Sequence, residues 1–231
     1  MSGVEFSEES RRVLARVPRH DFIGRATELD RILTQATTAR RDRGLLVLMT
    51  PSAGCSELLR QAYDQLFNKQ SDVVPVYYAI ARNETTAVSA AIEFLQTFLQ
   101  QHVAFSRNEP ALCHAALTLQ DVLQLASSSD LDWIQQIVQM YERIRFSNDS
   151  KALVRFCLSA TQRVPSRAGR PFVMLDGAQL ADDLNGTVIL GTELLRVFGR
   201  SGMGYVLAGL RRQLLHSARE AELDFEFLDL L

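Results

Sequence analysis

Residues 44–59 read Gly-Leu-Leu-Val-Leu-Met-Thr-Pro-Ser-Ala-Gly-Cys-Ser-Glu-Leu-Leu. The apolar run of residues 45–49 is short and is followed at once by turn-forming residues, a pattern typical of a buried β-strand. Pro51 and Gly54 delimit a tight turn. After the turn, apolar residues recur at helical spacing and predict a helix with this buried face: Leu58, Leu59, Ala62, Tyr63, Leu66 and Phe67. A strand, a tight turn and a helix in this order predict an α/β fold.

The turn follows part of the pattern of a phosphate-binding loop, which is a glycine, four residues and then Gly-Lys-Ser/Thr. With Gly54 as the second glycine, Met49 stands at the first glycine and Cys55 at the lysine. Ser56 stands at the hydroxyl position. The loop therefore keeps the second glycine and the hydroxyl and lacks the lysine that would contact a phosphate.

The composition is that of an ordinary globular protein, with 47% hydrophobic and 23% charged residues in a chain of 231. The formal net charge of −2 gives no electrostatic reason to expect nucleic acid or a membrane surface as a partner. No apolar run approaches the roughly 20 residues that span a bilayer. Cys55, Cys113 and Cys157 are far apart and odd in number, which predicts neither a disulfide framework nor a zinc site. Because the chain does not start with a basic and then apolar leader, we expect a cytoplasmic location.

Residues 1–21 predict a helical arm. Ser7 is a suitable N-cap for a short helix that runs to about Val17. The arm is basic, and this favours a solvated helix face, with an anion or partner contact as the alternative. The basic residues of the arm are Arg11, Arg12, Arg16, Arg19 and His20.

The rest of the chain alternates strands with helices. Residues 73–80 form a second β-rich run, in which Pro75 favours a sheet edge or the start of the strand. Apolar stripes at helical spacing make residues 84–161 largely helical, and we interpret this region as a helical insertion and a partner surface. Three further short apolar runs, at 171–176, 205–209 and 225–231, predict strands. The expected fold is a P-loop NTPase-like, parallel five-stranded sheet flanked by helices, with the insertion between strands two and three.

Two further stretches carry a family resemblance. Residues 22–33 read Phe-Ile-Gly-Arg-Ala-Thr-Glu-Leu-Asp-Arg-Ile-Leu, and residues 171–182 read Pro-Phe-Val-Met-Leu-Asp-Gly-Ala-Gln-Leu-Ala-Asp. The first is similar to the N-terminal signature of AAA-type and STAND P-loop ATPases, Phe-Val-Gly-Arg-x-x-Glu-Leu-x-x-Leu. The second resembles the Walker B element of STAND proteins joined to LuxR-type regulators. In register with the 44–59 stretch, they extend the resemblance over residues 22–231, and the chain stops where that family enters its C-terminal helical lid.

The resemblance implies a role for individual residues. Phe22, Ile23 and Gly24 correspond to the segment beside the adenine, and Arg211 corresponds to the arginine that faces the γ-phosphate. Ser56 and Asp176 correspond to the Mg²⁺ ligands, and Asp176 and Arg211 are the catalytic candidates if the site is active. The residues at the positions that hold the phosphates are Pro51, Ser52, Ala53, Gly54, Cys55 and Ser56.

The chain departs from the family pattern where the chemistry depends on it. Cys55 replaces the lysine that neutralises charge on the transferred phosphoryl group. A cysteine at a helix N-terminus tends to a lowered pKa, and its thiolate would repel a phosphate. Gly177 stands where a second acidic residue is usual, so the group that would orient an attacking water is absent. Only Lys69 and Lys151 are lysines, so the chain has few replacements.

These departures predict a pseudo-ATPase that serves as a regulatory or scaffolding module in signalling, with a protein partner. Binding of ATP or ADP with Mg²⁺ is expected to be weak or absent. One alternative is an active ATP-dependent switch that takes its positive charge from Arg60, Arg211 or a neighbouring subunit. A second is a DNA-associated module of the origin-recognition type, against which the net charge of −2 argues. The sequence is compatible with a homo-oligomer and predicts no membrane partner.

Overall fold

The computed structural model describes residues 11–38, 44–83, 86–220 and 224–230. Its strands are β1 (Gly44–Met49), β2 (Val73–Ala79), β3 (Arg170–Asp176), β4 (Tyr205–Leu210) and β5 (Phe225–Leu230). They form one sheet in the order β2-β3-β4-β1-β5, and every neighbouring pair is parallel. The predicted five-stranded parallel sheet flanked by helices is therefore confirmed.

Helices connect the strands. In the described residues they are α1 (Ala26–Thr37), α2 (Cys55–Lys69), α3 (Ala87–Arg107), α4 (Leu119–Leu125), α5 (Leu131–Phe146), α6 (Ser150–Leu158), α7 (Leu190–Phe198) and α8 (Arg211–Glu220). Helices α3 to α6 lie between β2 and β3, which is where the helical insertion is predicted. Thr86 and Thr118 begin α3 and α4 with capping boxes, in which each threonine accepts a hydrogen bond from a backbone N–H of the first turn. None of the described helices has the length and apolar character needed to cross a bilayer.

Both faces of the sheet are covered, which explains why β1 is a continuous apolar run rather than an alternating one. Leu45 and Val47 pack with α1 and α2 on one face, and Leu46 and Leu48 pack with the insertion, α7 and α8 on the other. Crossover connections between parallel strands are right-handed. The connection from β1 to β2 runs across the sheet in the opposite direction from the later connections, so its helix α2 lies on the opposite face from the helices that follow.

The edge strand β2 is buried because α3 covers it. The Gln101 side-chain amide donates to the Tyr77 carbonyl at 2.9 Å, and its oxygen accepts from the Tyr77 N–H at 2.8 Å. A free sheet edge exposes unpaired backbone groups that promote pairing with other chains, and Gln101 satisfies two of them. Pro75 lies in this strand, in agreement with the predicted edge position.

The predicted N-terminal helix is wrong over its described part. Residues 11–18, which we call the strap, contain no helix, and only a 3₁₀ turn at Arg19–Asp21 follows. Its backbone N–H groups donate to the carboxylates of Asp64 and Glu57 on α2 instead of to carbonyls four residues earlier. The proposed cap Ser7 lies outside the described residues. Tertiary hydrogen bonds have thus replaced the local ones that a helix needs.

Candidate functional site

The candidate site lies at the carboxyl end of the sheet, between β1 and β4. The chain leaves β1 for α2 on one face and leaves β4 for α8 on the other, and these two strands are neighbours. In open α/β sheets, ligands bind in the crevice formed where neighbouring connections diverge in this way. The loop of residues 50–54 and the start of α8 flank this crevice.

The loop has the backbone shape of a tight strand-to-helix turn. Ala53 N–H donates to the Thr50 carbonyl at 3.3 Å, and Ser52 and Gly54 have left-handed φ values of 65° and 79°. Gly54 is the N-cap residue of α2, and in the described structure no side chain caps this helix start. The first N–H groups of α2 therefore have no side-chain acceptor, an arrangement that suits an anion at the helix N-terminus. Pro51 and Ser52 are exposed, and Ser56 is half-buried.

The pKa of Cys55 differs from the expectation. Its side chain is buried, with 3% exposure. Burial is the main reason that the pKa of Cys55 is raised, the nearby Asp176 carboxylate raises it further, and Arg25 opposes the shift. The expected lowered pKa is wrong, because desolvation outweighs the helix N-terminus. The site therefore presents a neutral thiol at the lysine position, with neither a cation nor a thiolate.

Arg25 supplies a positive charge at the loop, a role that its sequence motif did not predict. Its Nη2 lies 3.4 Å from the Ala53 carbonyl oxygen, and its Nη1 lies 2.8 Å from Oε1 of Glu28. Neither of the two lysines is a comparable source. Lys69 ends α2, about 20 Å from the loop at 1.5 Å per residue, and Lys151 lies in α6. The signal for Arg25 was its place directly after Gly24, in the stretch that resembles the family signature.

Asp176, the predicted Mg²⁺ ligand, already has a partner. It is the last residue of β3 and is 5% exposed, and the hydroxyl of Tyr77 donates to its Oδ2 at 3.0 Å. Burial, followed by the charge of Asp176, raises the pKa of Tyr77, so this hydroxyl remains a donor. The Arg60 guanidinium lies over the Tyr77 ring, 5.4 Å from its centroid. Tyr77 was missed, although it precedes by two residues Ala79, the β2 partner of Asp176.

The residues after Asp176 explain why a second acidic residue is absent. Gly177 has a left-handed φ of 73°, and a side chain there would bring its Cβ to 3.1 Å from the Ile80 carbonyl oxygen. Gln179 joins the ends of two strands, because its Oε1 accepts from the Leu210 N–H at 3.3 Å. Within the described residues, no group of three or more histidine, cysteine, aspartate or glutamate side chains is arranged to hold a metal ion. The left-handed backbone at position 177 and the nearby Ile80 carbonyl therefore favour glycine over an acidic residue.

Arg211, the predicted γ-phosphate sensor, starts α8 at the same edge of the sheet. Its Nη1 contacts Oδ1 of Asp229 on β5, and both side chains are about half-exposed. Because β1 lies between β4 and β5 and Leu48 pairs with Asp229, the Arg211 side chain passes over the end of β1. The predicted arginine is thus beside the loop and is engaged in an ion pair.

The predicted adenine segment differs in exposure along its length. Phe22 is half-buried and packs against the α1–α2 core, whereas Ile23 is 84% exposed. Gly24 has a left-handed φ of 84°, and a Cβ added there would have no atom within 4 Å, so only its backbone conformation favours glycine. The segment therefore offers one open apolar side chain near the loop arginine.

Comparisons with known proteins identify no relative, since no family model, no curated protein and no solved structure matches this chain. The resemblance to AAA-type and STAND ATPases therefore stays a prediction that rests on the sequence motifs.

Proposed function

We propose that this chain is a catalytically impaired P-loop domain of the AAA or STAND type that acts in the cytoplasm as a regulatory or scaffolding protein-interaction module. The observation that carries the proposal is the buried, neutral Cys55 at the position of the catalytic lysine. Phosphoryl transfer depends on positive charge placed against the transferred group, and a thiol supplies none.

The state of Asp176 supports the same proposal. A Mg²⁺ ion requires carboxylate oxygens that are free to coordinate it, with water and phosphate oxygens completing an octahedron. Here one oxygen of Asp176 accepts the Tyr77 hydroxyl, and Gly177 provides no second acid. Nucleotide binding is therefore expected to be weak or absent, and hydrolysis to be negligible.

The protein-interaction part of the proposal rests on the helical insertion. An open groove of about 470 Å³ runs between α4 and α5, with Leu123, Leu131 and Val138 among its lining residues. Met140 and Phe146 of α5 are also exposed. Exposed apolar side chains on a helix that also lines a groove are typical of surfaces that bind other proteins.

Thermal unfolding with and without Mg²⁺ and ATP or ADP tests the nucleotide part. A ligand that binds only the folded state raises its stability, by about 2.7 kcal/mol at a hundredfold excess over the dissociation constant. We expect little or no shift in the wild type and a clear shift in Cys55→Lys. Cys55→Met is the matched control, since it adds length without charge. A large shift in the wild type together with ATP hydrolysis would contradict the proposal.

One observation favours a second candidate, an ATP-dependent switch with a non-lysine phosphate clamp. Arg25 places a guanidinium against the loop backbone, and its reach would allow a contact with an anion at the start of α2. In this case the wild type shows a nucleotide-dependent shift that Arg25→Gln abolishes. Arg82→Gln, at an exposed arginine outside the loop, is the control and should leave the shift unchanged.

A further inference from the structure

The strap is held to the flank of α2 through its backbone. Asp64 accepts the N–H groups of Val13 at 2.8 Å, Leu14 at 2.7 Å and Ala15 at 3.3 Å. The next two N–H groups, of residues 16 and 17, donate to Glu57 at 3.0 and 2.9 Å. Five consecutive N–H groups therefore bind two carboxylates, an arrangement that fixes the path of the main chain.

The strap carbonyls are held as well. Gln61 donates to the Val17 carbonyl at 2.6 Å, and Asn68 donates to the Arg11 carbonyl at 2.8 Å. Nε2 of His114 lies 2.6 Å from the Val13 carbonyl. Terminal segments are usually poorly ordered unless they are tied down. Here the tether uses buried polar groups, since Asp64 is only 4% exposed.

This tether leaves the basic side chains of the strap facing outward. Arg11, Arg12 and Arg16 are exposed, as is Arg19 directly after the strap, and within the described residues none of the four forms a salt bridge. The carboxylates of Asp64 and Glu57 on α2 accept backbone N–H groups of the strap. The Arg12 guanidinium donates to the Arg16 carbonyl at 3.4 Å, which brings these two residues side by side. Because the Arg11 guanidinium donates to Oδ1 of Asn108 at 2.8 Å, the guanidinium groups of Arg12, Arg16 and Arg19 are the ones that can bind carboxylates from outside.

We propose that the strap, with Arg19 and the exposed Ile23, is a docking surface for an acidic segment of a partner protein. This inference rests on the protein-interaction part of the proposed function and names the chemistry of the partner. Arginine binds carboxylates through two parallel hydrogen bonds, so a row of arginines that form no salt bridge within the described residues fits glutamate and aspartate side chains.

Ile23 favours a protein over a nucleic acid as the partner. The Ile23 side chain is 84% exposed and lies four residues after Arg19. An apolar residue of a partner protein would bury it, whereas a phosphate backbone has no apolar surface to pack against it. Protein interfaces combine arginine with apolar contacts in this way.

Fluorescence anisotropy with a labelled peptide of alternating glutamate and leucine tests the proposal. We expect the triple variant Arg12→Gln, Arg16→Gln, Arg19→Gln to bind this peptide about tenfold more weakly, because each exposed ion pair contributes modestly. The matched control replaces three exposed arginines outside the strap, Arg82, Arg167 and Arg200, with glutamine and changes the net charge equally. Equal losses in both triple variants would overturn the proposal.

Asp64→Asn distinguishes binding by the tethered strap from attraction by net charge, because the two explanations predict opposite changes in the affinity for the acidic peptide. Removing a negative charge raises affinity for an acidic peptide if only net charge matters. If the tethered strap is the binding surface, the same change weakens binding severalfold, because the strap is released. Hydrogen exchange at the amides of residues 13–15 reports that release directly, and Glu57→Gln repeats the test at the amides of residues 16 and 17.

Two other outcomes would also overturn the proposal. The first is tighter binding of a labelled DNA duplex than of the peptide, at equal salt and with the same dependence on the strap arginines. The second is the absence of peptide binding by the wild type at low salt. Nucleotide-induced thermal shifts test the pseudo-ATPase part separately, so failure of the docking surface and failure of the proposed function give different results.

Discussion

The start and the flank of helix α2 make opposite use of polar groups. At its start, backbone N–H groups face the loop with no side-chain cap, and Cys55 is buried and neutral. Along its flank, Glu57 and Asp64 bind five backbone N–H groups of the strap. One helix therefore offers donors at one place and acceptors at another. Only the acceptors have partners in the described structure.

The difference indicates where this chain places its electrostatic interactions. A nucleotide site needs a cation at the start of α2, and the chain has a thiol there. The flank instead holds two acids at positions that face solvent in an ordinary amphipathic helix, and Asp64 is buried by the strap. The comparison predicts that substitutions along the flank disturb the fold and that substitutions at the loop disturb it little.

Asp64→Ala should have the largest effect. It removes the acceptor of three backbone N–H groups, and hydrogen bonds to a charged group contribute about 1.5–3 kcal/mol. We expect a loss of about 3 kcal/mol in the free energy of unfolding, measured by urea titration, since the freed N–H groups regain water. Ser56→Ala, at the other end of the comparison, should change stability by less than about 0.5 kcal/mol. Similar losses in the two variants would remove the distinction between flank and loop.

Tyr77→Phe tests the side of the site that faces the loop. The change removes the donor to Asp176 and leaves a buried carboxylate oxygen without it, at a cost of about 2 kcal/mol. Mg²⁺ should restore part of this stability if the freed carboxylate coordinates the ion. A urea titration with and without Mg²⁺ measures both effects. Tyr141→Phe, at a buried tyrosine in α5, is the control and should show no response to Mg²⁺.

The regular elements were predictable, because they depend on local periodicity. The strands at β1, β3 and β4 and the stripe of α2 follow from apolar runs and spacing. The strap was not, because its geometry depends on Asp64, which is 51 residues from Val13. The same holds for Tyr77 and Asp176, which are 99 residues apart. A sequence pattern shows that a carboxylate is present at a strand end, and the strand register decides which hydroxyl faces it.

Asp130 in the helical insertion sharpens the comparison, because its carboxylate binds side chains instead of backbone. Ser127 and Trp133 donate to it at 2.8 and 3.1 Å, and the ring of His102 lies 3.7 Å away. Burial opposes its ionisation, but the adjacent His102 ring and the hydrogen bonds from Ser127 and Trp133 hold the pKa of Asp130 well below its usual range. The ionised carboxylate therefore stabilises the folded state.

The sign of the pH dependence follows from this lowered pKa. The stabilisation is present above the unfolded pKa of about 3.9 and is lost as the pH falls through the folded value. Asp130→Asn should cost about 1.5 kcal/mol at pH 7, and its difference from the wild type should shrink below about pH 4. Urea titrations across this range measure it. A difference that grows on acidification would contradict the assignment. Asp132→Asn, at an exposed position on the same helix, is the control.

Ser52→Gly should have the smallest effect on stability and the most informative effect on the loop. Ser52 adopts a left-handed φ of 65°, which costs a non-glycine residue about 1 kcal/mol. Glycine removes that cost and adds a similar one through the greater entropy of the unfolded chain. The net change should be within about 0.5 kcal/mol. Asn148→Gly, with a φ of 56° between α5 and α6, is the matched control.

The two glycine variants should differ in their nucleotide-induced thermal shift if the loop still forms an anion-binding surface. In a Cys55→Lys background, Ser52→Gly removes a side chain from the place where a phosphate approaches the backbone, so the nucleotide-induced thermal shift should increase. Asn148→Gly lies away from the loop and should leave that shift unchanged. If Ser52→Gly leaves the shift unchanged as well, the Ser52 side chain does not limit the approach of a phosphate to the loop.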